Sequence, residues 1–289
     1  MTQATTDASV RKARPVFRNI NAFTDLTTYR LPLAGLVSIL HRVSGALMFV
    51  LLPLIIWLFD TSVSSEISFN KFKAAFTSGL WFFPGWFMKF VALALIWAFL
   101  HHFIAGLRHL WMDVSHSATS KEFGKSSAAV ALGLSVLATL ARPKGRGTVT
   151  APGAGRQVVR FVLRSTRTMA INYGSKRTVV GAHYGMRDWL SQRVTAALMA
   201  LFTLLVLAQV IFSKGPLGYD KWAGIFDAQW MKVLTFAVIV ALAYHVWVGM
   251  RDIWMDYVKP VGVRLVLQIF TMVWLIGCMG WAIQVLWRL

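Results

Sequence analysis

The 289 residues are 57% apolar, 13% aromatic and only 14% charged, with a mean hydropathy of +0.59. A water-soluble domain carries about 25% charged residues, so this chain has too few to cover a water-facing surface, and a large soluble enzyme is excluded. Thirty Lys and Arg against 11 Asp and Glu give a net +19, which in an apolar chain is first a membrane-topology signal and does not indicate nucleic-acid binding.

In chain order, Met1–Ala34 is polar, contains Arg11, Lys12, Arg14 and Arg18, and lacks an early apolar core, so it does not read as a signal peptide. Five apolar stretches then approach the roughly 20 residues that cross a bilayer core: Leu36–Phe59, Met88–Leu110, Val194–Phe212, Val233–Met250 and Val263–Leu286. A sixth, Ser127–Ala141, has 15 residues before Arg142 and predicts a truncated third helix. Arg142–Arg187 holds ten Lys or Arg and no acid, and Pro143, Gly145, Gly147, Pro152, Gly153 and Gly155 interrupt its start. The single cysteine, Cys278, excludes a disulfide framework, a cysteine zinc site and a Cys-ligated iron–sulfur cluster. The expected fold is an all-α integral membrane protein. It has two repeated three-helix units, 1–141 and 169–289, joined by a basic linker, 142–168, with up to six transmembrane helices forming a bundle.

The two units share a pattern. His41-Arg42-Val43-Ser44-Gly45-Ala46-Leu47 opens the first, and Gln192-Arg193-Val194-Thr195-Ala196-Ala197-Leu198 opens the second. Their second helices read His102-x3-Gly106-x6-Asp113 and His245-x3-Gly249-x6-Asp256, with Arg108 and Arg251 each two residues after the glycine.

His102, Gly106, His109 and Asp113 share one helix face, as do His245, Gly249, Asp252 and Asp256. Histidines inside apolar helices usually face a bundle interior and mark function. Two helices that each present one His at a corresponding depth can supply both axial ligands of a b-type haem, and a glycine one turn on would let a macrocycle or a neighbouring helix approach. Against this stands a structural role, each His bonding a nearby carbonyl or hydroxyl. His101 competes with His102 but points about 100° away and lacks the glycine. Ser38, His41 and Arg42 share a face at the start of the first helix. Arg42 either snorkels to the headgroups or joins a polar pocket suited to a quinone carbonyl or to haem propionates, and Arg193 holds the matching place. Tyr257, beside Asp256, adds a phenolic donor or an interfacial aromatic. The 13 Trp read as belt and packing residues.

Ser38-Ile39-Leu40-His41-Arg42-Val43-Ser44-Gly45 and His102-x3-Gly106-Leu107-Arg108-His109-x3-Asp113 resemble the signatures of the cytochrome b556 subunit of bacterial succinate dehydrogenase. Asp188-Trp189-Leu190-x-Gln192-Arg193-Val194-Thr195-Ala196 and His245-x3-Gly249-Met250-x5-Asp256-Tyr257-Val258-Lys259-Pro260 resemble its hydrophobic membrane anchor subunit. The resemblance covers about 30–141 and 169–289. It implies a multi-pass protein of the bacterial cell inner membrane with a cytoplasmic N-terminus. It implies one haem b, with His102 and His245 as axial iron ligands and His41, Arg42, His109 and Arg193 at the propionates. It implies a ubiquinone pocket at Ser38, Arg42, Asp256 and Tyr257, with electrons arriving from separate flavoprotein and iron–sulfur subunits. The absence of a Gly-rich dinucleotide fingerprint agrees with that division of labour. The competing readings are a fumarate reductase anchor using menaquinol and, from another class, a haem-free scaffold or transporter. The resembled family uses two polypeptides where this sequence has one. Three full spans from a cytoplasmic N-terminus would put the basic linker outside, against its charge. Either 127–141 fails to span, or two polypeptides are joined here, by a reading-frame slip, which is favoured, or artificially. If the join is expressed as written, the expectation is that 127–141 forms no normal span.

Overall fold

In the computed structural model, residues 31–141, 183–213 and 215–289 are described. The helices are α1 Leu33–Val50, α2 Leu52–Val63, α3 Glu66–Thr77, α4 Gly85–Val114, α5 Lys121–Leu140, α6 His183–Phe212, α7 Tyr219–Asp227, α8 Gln229–Tyr257 and α9 Val261–Arg288. No β-strand occurs among the described residues, where a lone bridge joins Leu80 to Phe83. Six stretches are long and apolar enough to cross a membrane: Leu33–Val50, Gly85–Val114, Lys121–Leu140, Gly185–Phe212, Gln229–Tyr257 and Val261–Arg288. The chain is an all-α integral membrane bundle.

The first apolar stretch is two helices rather than one. Pro53 has no N–H to give the carbonyl of Phe49, and the helix breaks at Leu51. The indole N–H of Trp274 on α9 donates to that carbonyl at 3.1 Å, so a residue 225 positions away completes what proline removed. A packing Trp thus has a definite task, as does Trp254, whose indole donates to Thr271 Oγ1 at 3.0 Å.

The third helix is longer than its apolar run. Ser120 caps it by accepting the N–H of Phe123 at 3.3 Å, and Lys121–Ser126 add their turns to reach 20 residues. The 15-residue expectation gives way to a helix of about 30 Å, because backbone hydrogen bonding and a cap, not apolarity, set where a helix starts. Its small residues Ala128 and Ala131 lie buried against Val37 of α1 and Ala105 of α4, and Ser135 is fully buried beside His101 of α4. Such small residues let membrane helices approach closely.

α3 is a short amphipathic helix. It opens with a reciprocal cap in which the Ser65 side chain accepts the Ser68 N–H and the Ser68 side chain accepts the Ser65 N–H. At the same end of the bundle, Asp60 of α2 accepts from Arg288 and from the indole of Trp281 at 3.3 Å, both on α9. The halves meet where α1 packs on α8, α2 on α9 and α4 on α6. Most other large side chains face outward, Leu201, Leu204, Leu207 and Ile211 of α6 among them, as lipid-facing helices require.

Candidate functional site

The polar chemistry gathers where α1, α4, α6 and α8 come together. His102 of α4 and His245 of α8 face each other with ring centroids 6.3 Å apart and planes at 79°. Their surroundings fix which nitrogen is free. His102 Nδ1 lies 3.0 Å from the carbonyl of His41, which can only accept, so Nδ1 carries the proton. His245 Nδ1 lies 3.1 Å from Thr195 Oγ1, whose own hydrogen goes to the carbonyl of Ser191 at 2.7 Å. Thr195 therefore accepts from His245. In both rings Nε2 is left without the proton, the form in which an imidazole can bind a metal, and the N–H at the other nitrogen fixes the ring's orientation. An iron held by two Nε2 atoms at roughly 2 Å each would set the ring centroids about 6 Å apart. The residues fit a two-histidine iron. Among the described residues there is no group of three or more His, Cys, Asp or Glu that could hold a bare metal ion.

The approach of a neighbouring helix does not require the glycines of the His-x3-Gly pattern. A methyl at Gly106 would meet His41 Nε2 at 3.8 Å and one at Gly249 would meet Gln192 Nε2 at 3.6 Å, ordinary contacts. The tight position is Gly45 on α1, where a methyl would come within 3.0 Å of His102 Cε1. His41 stacks on His102 with centroids 4.0 Å apart and planes at 18°, and His109 sits 5.4 Å from His41. His101 faces α5: it is fully buried, its Nδ1 lies 3.3 Å from Ser135 Oγ, and Trp97 stacks on it at 5.4 Å.

Two ion pairs flank the histidines, and they cross between the halves. Arg42 of α1 donates to Asp256 of α8 at 2.6 Å and to the phenolic oxygen of Tyr257 at 3.3 Å. Arg193 of α6 donates to Asp113 of α4 at 2.7 Å, with the Trp189 ring 5.0 Å from its guanidinium carbon. Ser38 lies half-buried one turn before Arg42. Arg108 and Arg251, the other repeated arginines, stay within their own halves: Arg108 donates to Ser127 of α5 at 2.9 Å and Arg251 to Asp188 of α6 at 2.7 Å. The structure thus brings Arg42, Asp256 and Tyr257 together, and gathers His41, His102, His109 and His245. Arg193 is on Asp113. The hydroxyls beside the two histidines, Ser44 at 3.4 Å from His102 Nδ1 and Thr195, escaped the sequence reading. The signal was present, because both stand two residues after the repeated arginine.

An all-helical membrane bundle of two related halves, with facing histidines and interhelical Arg–Asp pairs at their junction, is a membrane-embedded subunit rather than a soluble catalyst. The chain belongs to the succinate dehydrogenase/fumarate reductase transmembrane subunit family, which it matches over residues 12–141 and 168–279. It is similar to the succinate dehydrogenase hydrophobic membrane anchor subunit of Coxiella burnetii, 37% identical over 103 residues, covering 36% of this chain and 89% of that protein. It is also similar to the succinate dehydrogenase cytochrome b556 subunit of Paracoccus denitrificans, 34% identical over 115 residues, covering 40% of this chain and 83% of that protein. The cytochrome b556 subunit of Coxiella burnetii is 34% identical over 90 residues, covering 31% of this chain and 67% of that protein.

Proposed function

We propose that this chain is the quinone-reducing membrane anchor of a bacterial succinate dehydrogenase, taking electrons from separate flavoprotein and iron–sulfur subunits. The observation that carries this reading is the Arg42–Asp256–Tyr257 cluster between α1 and α8. Asp256 holds the guanidinium in place. Because the Tyr257 oxygen accepts from Arg42, its own O–H is left to donate. A ubiquinone entering here would have one carbonyl oxygen met by Arg42 and Tyr257, with Ser38 one turn away as a further hydroxyl donor. Reduction takes two electrons and two protons to the quinol. The cluster polarises the carbonyl and delivers a proton at its oxygen, and Asp256 offers a carboxylate through which protons can be replaced. Both named classes of relative belong to succinate dehydrogenase, which favours succinate oxidation over fumarate reduction with menaquinol.

His102 and His245 would hold one haem b through their Nε2 atoms, and the bound haem would supply a one-electron store beside the pocket. His41, His109, Arg42 and Arg193 would meet its propionates, Arg193 by exchanging Asp113 for a propionate.

Arg42→Leu should lower succinate-driven quinone reduction by about a hundredfold, while succinate oxidation with an artificial acceptor at the soluble subunits persists. An equal fall of both activities in an assembled complex would remove the quinone role.

The two halves, 1–141 and 169–289, are best read as two polypeptides joined in this sequence through 142–168. α5 starts beside the Asp113 end of α4 and runs about 30 Å to Leu140, whereas α6 starts back near that end, since its Arg193 pairs with Asp113. Residues 142–182 carry nine Lys or Arg and no acid, and a cation at the bilayer midplane costs roughly 2.5–3.5 kcal/mol. With a cytoplasmic N-terminus in the inner membrane, separate chains remove the conflict. Native membranes should yield two polypeptides, the second beginning near Met169. A single band near 32.4 kDa would show the join to be real.

A further inference from the structure

The connection between α3 and α4 holds a backbone outlier that neither the histidines nor the quinone pocket uses. Leu80 and Phe83 exchange both backbone hydrogen bonds at 2.9 Å, closing a two-residue turn over Trp81 and Phe82. Trp81 has φ +51°. Glycine is the residue that occupies such a first central position without strain, and a bulky side chain there is a true outlier. Yet the fold places a tryptophan at it and leaves the ring outside, Trp81 being 87% exposed and Phe82 79%. Phe83 packs behind them, its ring 4.2 Å from Phe82 and 4.9 Å from Phe87.

The exposed aromatic surface does not stop at the turn. It continues along α4 through Trp86, Phe90 and Leu93, all outward-facing and spaced at i, i+4 and i+7. α4 is one of the membrane-crossing helices, so this outward stripe meets lipid, and the turn marks where it reaches the membrane surface. That surface lies at the start of α4, opposite the end bearing Asp113, hence on the face away from the Arg42–Asp256 pair. Exposed Lys89 stands beside the stripe, and Lys71 and Lys73 on the neighbouring α3.

We propose that the Trp81–Phe82 turn is a preset lipid wedge, inserting both rings into the headgroup layer on the face opposite the Arg42–Asp256 pair. Indole suits that layer, with an apolar body and one N–H for the wet side. The left-handed backbone at Trp81 holds both rings outward, which a turn with an ordinary negative φ at that position would not.

The test places a nitroxide at position 82 (Phe82→Cys in a Cys278→Ser background) of the full chain, reconstituted in phosphatidylcholine bilayers. Collision with oxygen and with a water-soluble nickel chelate then reports depth. The wedge predicts an oxygen-to-nickel accessibility ratio several-fold above that of an aqueous loop. Trp81→Pro, whose ring fixes φ at about −65°, should undo the left-handed turn and lower that ratio several-fold. Trp81→Gly, which takes the same backbone without strain, and Trp81→Phe should keep the parent ratio, the glycine raising the Tm in detergent. Free access by the nickel chelate in the parent would overturn the proposal. So would low access by both reagents, which means that protein, a second copy included, covers the turn. A Trp81→Pro ratio equal to the parent's would likewise remove the role assigned to the backbone.

Discussion

The two crossed ion pairs at the junction of the halves are built on one plan and differ in what surrounds them. Each takes its arginine from the first helix of one half and its aspartate from the second helix of the other, at 2.6 Å for Arg42–Asp256 and 2.7 Å for Arg193–Asp113. Around Arg42 stand Ser38 and Tyr257, two hydroxyls, and the pair is half open to its surroundings. At the matching positions around Arg193 stand Trp189 and Val114, which offer no hydroxyl, and Asp113 is only 26% exposed. The duplicated framework supplies charge twice, but hydroxyls able to donate to a carbonyl ligand only once. An arginine held by an aspartate is therefore not enough to define the pocket; the hydroxyls beside it decide which of two near-equivalent places suits a quinone.

The strongest way to break this comparison is at the feature the halves share. His102→Leu and His245→Leu should each abolish the b-type absorbance spectrum, because a two-histidine iron needs both. His101→Leu should leave the spectrum nearly intact, since His101 turns toward Ser135 on α5. An unaltered spectrum in both ligand variants, recorded on the assembled protein, would remove the iron-ligand assignment and leave the histidines as packing residues.

A smaller effect sharpens the asymmetry between the pairs. Arg193→Leu should hold quinone reduction within about tenfold of the parent, a change in barrier of up to roughly 1.4 kcal/mol, in contrast to the hundredfold loss at Arg42. Parallel steady-state rates with ubiquinone and with an artificial acceptor check this. If Arg193→Leu abolished quinone reduction as Arg42→Leu is expected to, the flanking hydroxyls would not be what separates the two places.

Much of this arrangement is legible in the sequence because helices impose a period. The shared faces of His102, His109 and Asp113 and of His245 and Asp256 follow from spacing alone, and the repeat pointed to both histidines. A face does not name its partner, however. That Arg42 reaches Asp256, 214 residues on, and that Arg193 reaches Asp113 are facts of how the halves pack. The break at Leu51 was visible as Pro53 inside an apolar run, but its repair by Trp274 was not. The length of α5 was misjudged because apolarity measures what lipid tolerates, whereas Ser120 sets where the helix starts. Ser44 and Thr195 were within reach, since the repeat aligned the two hydroxyls beside the facing imidazoles, of which Thr195 accepts the N–H of His245 Nδ1.

The smallest expected effect concerns one aligned position where the halves differ, Gly45 against Ala196. In the first half a methyl would press on His102 Cε1 at 3.0 Å, closer than side-chain carbons sit without something moving. The neighbour is an imidazole tied at Nδ1 to the carbonyl of His41, so it cannot swing aside freely. Gly45→Ala should cost roughly 1–3 kcal/mol as an overpacking change and displace the ring, shifting the absorbance bands. The second half already carries that methyl at Ala196, with His245 held at Nδ1 by Thr195. Ala196→Gly should therefore leave the bands in place and cost only the about 0.5–1 kcal/mol that glycine costs inside a helix. Thermal unfolding of the two variants in detergent, with spectra taken alongside, separates the outcomes. Equal band shifts in both would mean that the two histidines are held alike, and that Gly45 serves the backbone rather than His102.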